Sequence, residues 1–77
     1  MRMKKRGVTV ELRIKQYRES KNLTQQDLAD MVNIDRTTLS QYETGKRLPD
    51  IYILCDIADE LDVSLDDLVK WKWDKNV

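Results

Sequence analysis

A chain of 77 residues has room for one domain with one modest core. It contains no histidine and a single cysteine, Cys55, so one chain cannot assemble a Cys/His zinc site or a disulfide framework. Fourteen basic and fourteen acidic side chains give a net charge of zero, which by itself does not favour a nucleic-acid partner. Charged residues interrupt the early apolar runs and no later run approaches membrane-spanning length, so we expect a cytoplasmic protein without membrane contact.

The charges are nevertheless sorted along the chain, and its first segment is strongly basic. Residues 1–22 contain eight basic and two acidic side chains, whereas residues 48–77 contain three basic and eight acidic ones. Such a dipolar molecule would turn its basic end toward phosphate. We therefore expect residues 1–8 to form a basic, disordered arm that contacts DNA phosphates. The charges alone are equally consistent with a solvated basic tail ahead of ordinary amphipathic helices.

Helix 1 is predicted to begin near Thr9 and to stop at Asn22, with three apolar residues at helical spacing. These three are Val10, Ile14 and Tyr17.

Helix 2 is predicted to open with Thr24 as its N-cap and with Asp27 three residues later, a variant of the capping box. It should end at Asn33. The small Ala29 would let helices 2 and 3 approach closely, and Ile34 in the turn would fill the gap between them.

Helix 3 is predicted to open at Asp35 and to end at Gly45, and it has two unlike faces. The residues of one side, which should pack in the core, are Leu39, Tyr42 and Glu43. The residues of the other side are Arg36, Thr37, Ser40, Gln41 and Thr44. This second face lacks the Lys/Glu mixture of an idle surface, and Arg and Gln are the side chains that pair with guanine and adenine edges in the major groove.

Helix 4 should follow Pro49 and Asp50 and end at Asp62. The apolar residues expected in the core are Ile51, Leu54, Ile57, Ala58 and Leu61. Helix 5 would begin with a capping box from Ser64 to Asp67 and bury Leu65 and Leu68. The four positions between the helices are residues that tolerate a left-handed backbone, namely Asn22, Asn33, Gly45 and Asp62.

No strand is predicted, because the apolar spacing is helical throughout. The expected fold is therefore all-α, a compact five-helix bundle over residues 9–72 followed by a C-terminal tail at 73–77. Helices 2 and 3 would form a helix-turn-helix.

Four stretches carry a specific family pattern, at residues 14–25, 28–29, 38–49 and 61–68. In these the chain resembles the Cro and lambda-type repressor family of helix-turn-helix proteins, also called the XRE family. The resemblance implies the lambda-repressor-like DNA-binding fold. Residues 1–8 and 70–77 lie outside it, and the family usually has Gly at positions 22, 33 and 62 and Asn at position 44.

The resemblance also assigns roles to individual positions. The residues that it implies face DNA bases are Arg36, Thr37 and Gln41. The residues that it implies contact the DNA backbone are Gln25, Thr38, Thr44, Lys46 and Arg47. It pairs Glu43 with Arg18 of helix 1 in a structural bridge that would hold the recognition helix.

The predicted function is a sequence-specific regulator of transcription that binds double-stranded DNA, acts as a repressor and occupies a palindromic operator as a homodimer. The candidate dimer surface is the C-terminal helix with Val69, Trp71 and Trp73, which are apolar beyond what helix 5 needs. Alternatively, Trp71 completes the core and Trp73 lies on a frayed tail.

A second interpretation is an antitoxin or accessory module whose acidic C-terminal half grips a protein partner, with DNA binding secondary. An enzyme is not predicted, since there is no histidine, Cys55 is expected to be buried and no nucleophile is paired with a base. No cofactor, metal or small-molecule ligand is indicated.

Overall fold

Five helices and a three-stranded antiparallel sheet make up the part of the chain described by the structure, a computed structural model covering residues 2–5 and 7–73. The elements in chain order are β1 (Arg2–Lys5), β2 (Val8–Leu12), α1 (Ile14–Ser20), α2 (Gln25–Met31), α3 (Arg36–Thr44), α4 (Ile51–Leu61), α5 (Leu65–Leu68) and β3 (Val69–Trp73). The five helices agree with the prediction, but the expectation of an all-α fold is wrong.

The sheet joins the two ends of the described chain, with strand order β1-β2-β3. Its centre is β2, in which Val10 lies opposite Met3 on one side and opposite Trp71 on the other. The β1–β2 turn contains Gly7, whose φ of 75° is readily adopted only by glycine. Strand pairing satisfies the backbone donors and acceptors of residues 9–12, which were predicted to lie in helix 1.

The start of the chain therefore differs from the prediction. Thr9 belongs to β2, and α1 begins only at Ile14. Residues 2–5 and 8 lie in strands, so the expectation of a disordered arm over residues 1–8 is wrong for them. Met1, Arg6 and the tail residues 74–77 lie outside the described residues.

The end of the chain differs in the same way. Helix α5 is a single turn, and Val69, Trp71 and Trp73 lie on β3 instead of on a C-terminal helix. Trp71 is 68% exposed and does not complete the core, and Trp73 is 58% exposed within a strand. The Trp73 ring lies over Gly7, with ring carbons 3.2 Å from the position that a Cβ would take there.

The side-chain caps form at the predicted starts of α2 and α5, whereas Asp35 at the start of α3 makes no cap hydrogen bond through its side chain. In α2 the Asp27 N–H donates to Thr24 Oγ1 (3.0 Å) and the Thr24 N–H donates to Asp27 Oδ2 (2.9 Å), which confirms the capping box. Asp50 accepts from the Ile53 N–H (2.9 Å). The backbone is left-handed at all four predicted positions, with φ of 58° at Asn22, 58° at Asn33, 80° at Gly45 and 55° at Asp62.

Each helix contributes at least one large side chain to a common core. The fully buried ones are Ile14, Leu28, Leu39, Ile57, Leu61 and Leu68. Each contributes about 1.5–3 kcal/mol through burial. Two expectations fail on α4: Ile51 is 56% exposed at the first position of the helix, and Cys55 is exposed. Among the described residues, no helix combines the length and apolar character that membrane crossing needs.

Candidate nucleic-acid interface

Helices α2 and α3 pack against each other across a short turn. The turn is closed by the left-handed Asn33 and by a hydrogen bond from the Ile34 N–H to the Ala29 carbonyl (2.9 Å). Ala29 is fully buried, and Ile34 is half-buried against the core. The angle between the helices is thus set by packing as well as by the turn.

Helix α3 has the two faces that its sequence predicts. On the inner side Leu39 is fully buried, and Tyr42 and Glu43 are 3% and 7% exposed. On the outer side Arg36, Thr37 and Thr44 are exposed, and Ser40 and Gln41 are half-buried. The helix is therefore anchored on one face, while Arg, Thr and Gln side chains are available on the other.

A buried ion pair joins α1 to α3. Arg18 Nε donates to Glu43 Oε2 at 2.7 Å, and Arg18 Nη2 donates to Glu43 Oε1 at 3.1 Å. This is the bidentate bridge that the resemblance implies. A third donor, Arg18 Nη1, bonds the Leu23 carbonyl at 2.7 Å, a contact that the sequence did not suggest.

Hydrogen bonding to Glu43 raises the pKa of Arg18 despite the opposing effect of burial. The ion pair therefore favours the charged form of the guanidinium. No buried side-chain nitrogen or oxygen among the described residues lacks a hydrogen-bond partner. Arg18, Glu43 and the Leu23 carbonyl, here called the polar cluster, are therefore buried without an unsatisfied side-chain group.

Gln25 extends the polar cluster from the core to the outer face. Its Nε2 donates to Glu43 Oε1 at 3.0 Å, and its Oε1 accepts a long hydrogen bond of 3.5 Å from Arg36 Nη1. The structure thus brings Gln25 of α2 together with Arg36, the first residue of α3. The family resemblance implied a contact of Gln25 with the DNA backbone, and its hydrogen bond to Glu43 was not predicted.

The remaining predicted contact residues lie around the two ends of α3. Thr38 and Arg47 line the same shallow, open depression of about 390 Å³. Lys46 and Arg47 are exposed just after Gly45. The Thr44 hydroxyl donates to the Gln41 carbonyl of its own helix at 3.4 Å. The structure thus brings Thr38 and Arg47 together, and the Lys46 and Arg47 N–H groups donate to the Gln41 carbonyl at 3.0 and 3.3 Å.

A family model for helix-turn-helix domains matches residues 14–68. The chain belongs to the XRE-type helix-turn-helix family of DNA-binding transcription regulators. This is a family of regulators and not of enzymes. The matched region contains the five helices and leaves out all three strands.

Several XRE-type relatives are closely similar. The regulator YqaE of Bacillus subtilis is 44% identical over 83% of this chain and 55% of its own length. The CTXphi transcriptional repressor RstR of Vibrio cholerae is 38% identical over 83% of this chain and 58% of its own length. The chain thus spans little more than half the length of these curated relatives.

Solved XRE-type structures share the fold. The biofilm regulator SinR of Bacillus subtilis, in complex with DNA, superposes with a TM-score of 0.65 at 35% identity, over 69% of this chain and 86% of that one. The restriction-modification controller protein C.AhdI of Aeromonas hydrophila superposes with a TM-score of 0.68 at 27% identity, over 71% of this chain and 83% of that one.

Proposed function

We propose that the protein is a sequence-specific repressor that places α3 in the major groove of a palindromic operator and binds there as a dimer. The observation that carries the proposal is the division of α3 into a locked face and a free face. Glu43 and Leu39 fix the helix to the core, while Arg36 and Gln41 remain available for base edges.

Each free side chain suits a different part of the duplex. Arg36 donates bidentately to a guanine, Gln41 pairs with an adenine one turn further along, and the Thr37 methyl touches a thymine. The proposed backbone contacts fix the register of the protein on DNA without specifying the sequence. They are made by Gln25, Thr38, Thr44, Lys46 and Arg47.

The attraction to phosphate must come mainly from outside the helix-turn-helix. Residues 23–47 carry three basic and four acidic side chains, whereas residues 1–22 carry two acidic and eight basic ones, of which only Arg18 is known to be buried, in its pair with Glu43. The basic segment therefore strengthens binding to any DNA sequence, and α3 supplies the preference among sequences.

Dimeric binding is proposed because one recognition helix reads only a few base pairs, so useful specificity needs two half-sites about one helical turn apart. Val69, Trp71 and Trp73, now placed on β3, are the proposed dimer surface. Repression requires no more than occupancy of the operator, and RstR is named a transcriptional repressor.

The test is an in vitro selection of bound duplexes with the wild type and two matched variants. Wild type should select a two-fold symmetric consensus. Arg36→Ala should lose about 1–3 kcal/mol of discrimination at one symmetric position, a guanine, because its hydrogen bonds to that base are gone. Lys46→Ala should weaken all sequences alike and lower the salt slope by about one.

Arg36→Ala and Lys46→Ala are matched variants, because each removes one exposed positive charge, in α3 or just after it. If Arg36→Ala weakens binding but keeps the wild-type consensus, Arg36 does not read a base. If selection yields no consensus at all, sequence-specific recognition by α3 is refuted.

A further inference from the structure

The shallow depression that Thr38 and Arg47 line lies beside the first turn of α3. Its polar lining comes from the α2–α3 turn, from α3 and from the loop after α3. The residues of this lining are Asn33, Asp35, Thr38, Tyr42 and Arg47. The depression therefore combines hydrogen-bond donors and a cation with the start of the helix that is proposed to read DNA.

Tyr42 is a buried residue whose hydroxyl has no hydrogen-bond partner among the described residues. Only 3% of Tyr42 is exposed, yet no buried side-chain oxygen in the same part of the chain is unsatisfied. The hydroxyl is therefore the part of Tyr42 that reaches the surface. Because Tyr42 lines the depression and its ring belongs to the core, the hydroxyl is a fixed donor that faces the depression.

The start of α3 also lacks the side-chain cap that α2, α4 and α5 have. In those three helices a side-chain oxygen accepts a backbone N–H of the first turn, whereas Asp35 makes no such bond. The first N–H groups of a helix need an acceptor from outside the helix, and their orientation favours an anion. The uncapped N–H groups and the Tyr42 hydroxyl thus indicate the same kind of ligand, an anion with several acceptor oxygens.

We propose that the depression holds one phosphate group of the DNA backbone and that Tyr42 donates a hydrogen bond to it. This inference rests on the proposed binding of DNA by α3 and adds a contact residue from its buried face. Thr38 supplies a second hydroxyl, and Arg47 supplies a positive charge that has no ion pair within the described part of the chain. Backbone hydrogen bonds to the Gln41 carbonyl hold the loop that carries Arg47 against α3.

The charges of the lining favour a DNA phosphate over a free phosphate ion. Arg47 and Asp35 give the depression one positive and one negative side chain, so it does not concentrate free anions. A backbone phosphate is brought to the depression by the other contacts of the duplex, which raise its local concentration there. We therefore expect the site to contribute to DNA binding and not to bind inorganic phosphate at millimolar concentration.

The first test is Tyr42→Phe, which removes the hydroxyl and keeps the buried ring. Affinity should fall about tenfold per bound chain for all duplex sequences alike, since a hydrogen bond to a charged group is lost. The dependence of affinity on salt should not change, because the hydroxyl is neutral. Arg47→Ala should instead lower the slope of log affinity against log salt by about one.

Tyr17→Phe is the matched control for the loss of a hydroxyl. Tyr17 is a half-buried tyrosine of α1 that packs against the core and does not line the depression. This variant should bind DNA as the wild type does. Urea denaturation should give both variants the wild-type free energy of unfolding, since neither hydroxyl has a partner among the described residues.

The second test locates the phosphate with methylphosphonate duplexes, in which one backbone phosphate at a time is replaced by an uncharged group. The wild type should lose affinity at the phosphate held in the depression. Tyr42→Phe should lose distinctly less at that position, because part of the contact is already missing. If both proteins lose the same affinity at every position, the hydroxyl contacts no phosphate and the proposal is overturned.

Inorganic phosphate is the probe for the other possible source of the ligand, titrated into the protein without DNA and followed by NMR. No binding, together with the Tyr42-dependent loss on DNA, supports a backbone phosphate. Binding to the wild type that disappears in Tyr42→Phe and that competes with DNA overturns the backbone assignment in favour of a free phosphate ligand.

This contact and the reading of bases by α3 fail in different ways. A wild type that selects no consensus refutes base reading, but the tenfold loss in Tyr42→Phe is still measurable on any duplex. A Tyr42→Phe protein that binds as tightly as the wild type, or that selects a different consensus, overturns the phosphate contact and leaves the role of Arg36 untouched.

Discussion

The helical part of the molecule and its sheet differ in how completely they are buried. Six large side chains of α1 to α5 are fully buried, and the buried ion pair of Arg18 with Glu43 has partners for all its buried polar atoms. In the sheet, Trp71 and Trp73 remain more than half exposed. The helices thus form the closed core, although Ile51 and Tyr52 of α4 are exposed outside it, and both tryptophans of the sheet are exposed at its edge strand.

Under the proposed function, this difference separates DNA recognition from self-association. The family match covers residues 14–68, which include the described helices and exclude the described strands. Arg36 and Gln41 therefore lie in the part shared with the family, and Trp71 lies in the part added to it. A change at Arg36 or Gln41 should affect DNA reading, and a change at Trp71 should affect how two copies associate.

The two parts can be measured separately in one experiment. Both tryptophans of the chain lie in β3, so intrinsic fluorescence reports the sheet, while far-ultraviolet circular dichroism mainly reports the helices. Coincident unfolding curves would indicate one cooperative unit. Separate curves would indicate that the sheet unfolds before the helices.

The largest expected effect comes from breaking the polar cluster of the helical part. Arg18→Ala removes three donors and leaves Glu43 and the Leu23 carbonyl without them in the core. We expect a loss of about 3–5 kcal/mol in the free energy of unfolding. Urea denaturation followed by circular dichroism measures it.

The double variant Arg18→Met with Glu43→Leu is the control, since it removes both charges and fills similar volume. It should recover much of the loss. A cost below about 1 kcal/mol for Arg18→Ala would mean that the pair behaves like an exposed one. The anchoring of α3 would then rest on Leu39 and Tyr42 alone.

A smaller effect is expected at the turn of the sheet. Gly7→Ala adds a Cβ where φ is 75° and where the Trp73 ring is 3.2 Å away. Strain in the left-handed backbone alone costs about 1–2 kcal/mol. We expect the free energy of unfolding measured by tryptophan fluorescence to fall by at least that amount. The fluorescence of Trp73 in the folded protein should change as well.

Gly45→Ala is the matched control, because Gly45 has a similar φ of 80° at the end of α3. It should shift the dichroism transition by a similar backbone cost without altering native tryptophan fluorescence. Identical fluorescence changes in both variants would contradict a role for the ring contact and would indicate that the helices and the sheet respond as one body.

The parts of the fold that could be predicted are those that local chemistry determines. Thr24 with Asp27 forms a capping box within four residues, and Gly45 ends α3 through its own backbone freedom. Helical spacing also identified the buried face of α3. The Arg18–Glu43 pair spans 25 positions and came only from the family resemblance.

The sheet was missed mainly because its central strand pairs with β3 at the other end of the sequence, although β1 and β2 are neighbours joined by a short turn. Strand β2 pairs with β3, so that Val8 lies opposite Trp73. The signals were present: Val8, Thr9 and Val10 are β-branched, and β3 alternates Lys with Trp. A short basic segment at the start of a chain is also typical of a disordered arm. Because the pairing of β2 with β3 was not predicted, the basic residues were interpreted as such an arm.

The smallest expected effect concerns acid and the capping box of α2. Hydrogen bonds from the backbone and side chain of Thr24 lower the pKa of Asp27 from its usual 3.8. A carboxyl with a lowered folded pKa stabilises the protein above its unfolded pKa, and that stabilisation disappears as the pH falls through the folded pKa. The Asp27→Asn side chain does not titrate in this range and has no such stabilisation to lose. The stability advantage of the wild type over Asp27→Asn at pH 7 should therefore shrink below about pH 4.

Urea denaturation of both proteins between pH 7 and pH 3 measures the difference by circular dichroism. Equal losses in both proteins would assign the acid sensitivity to other carboxyls. If only the wild type loses stability, and loses it in the dichroism signal before the fluorescence signal, then α2 responds to acid independently of the sheet.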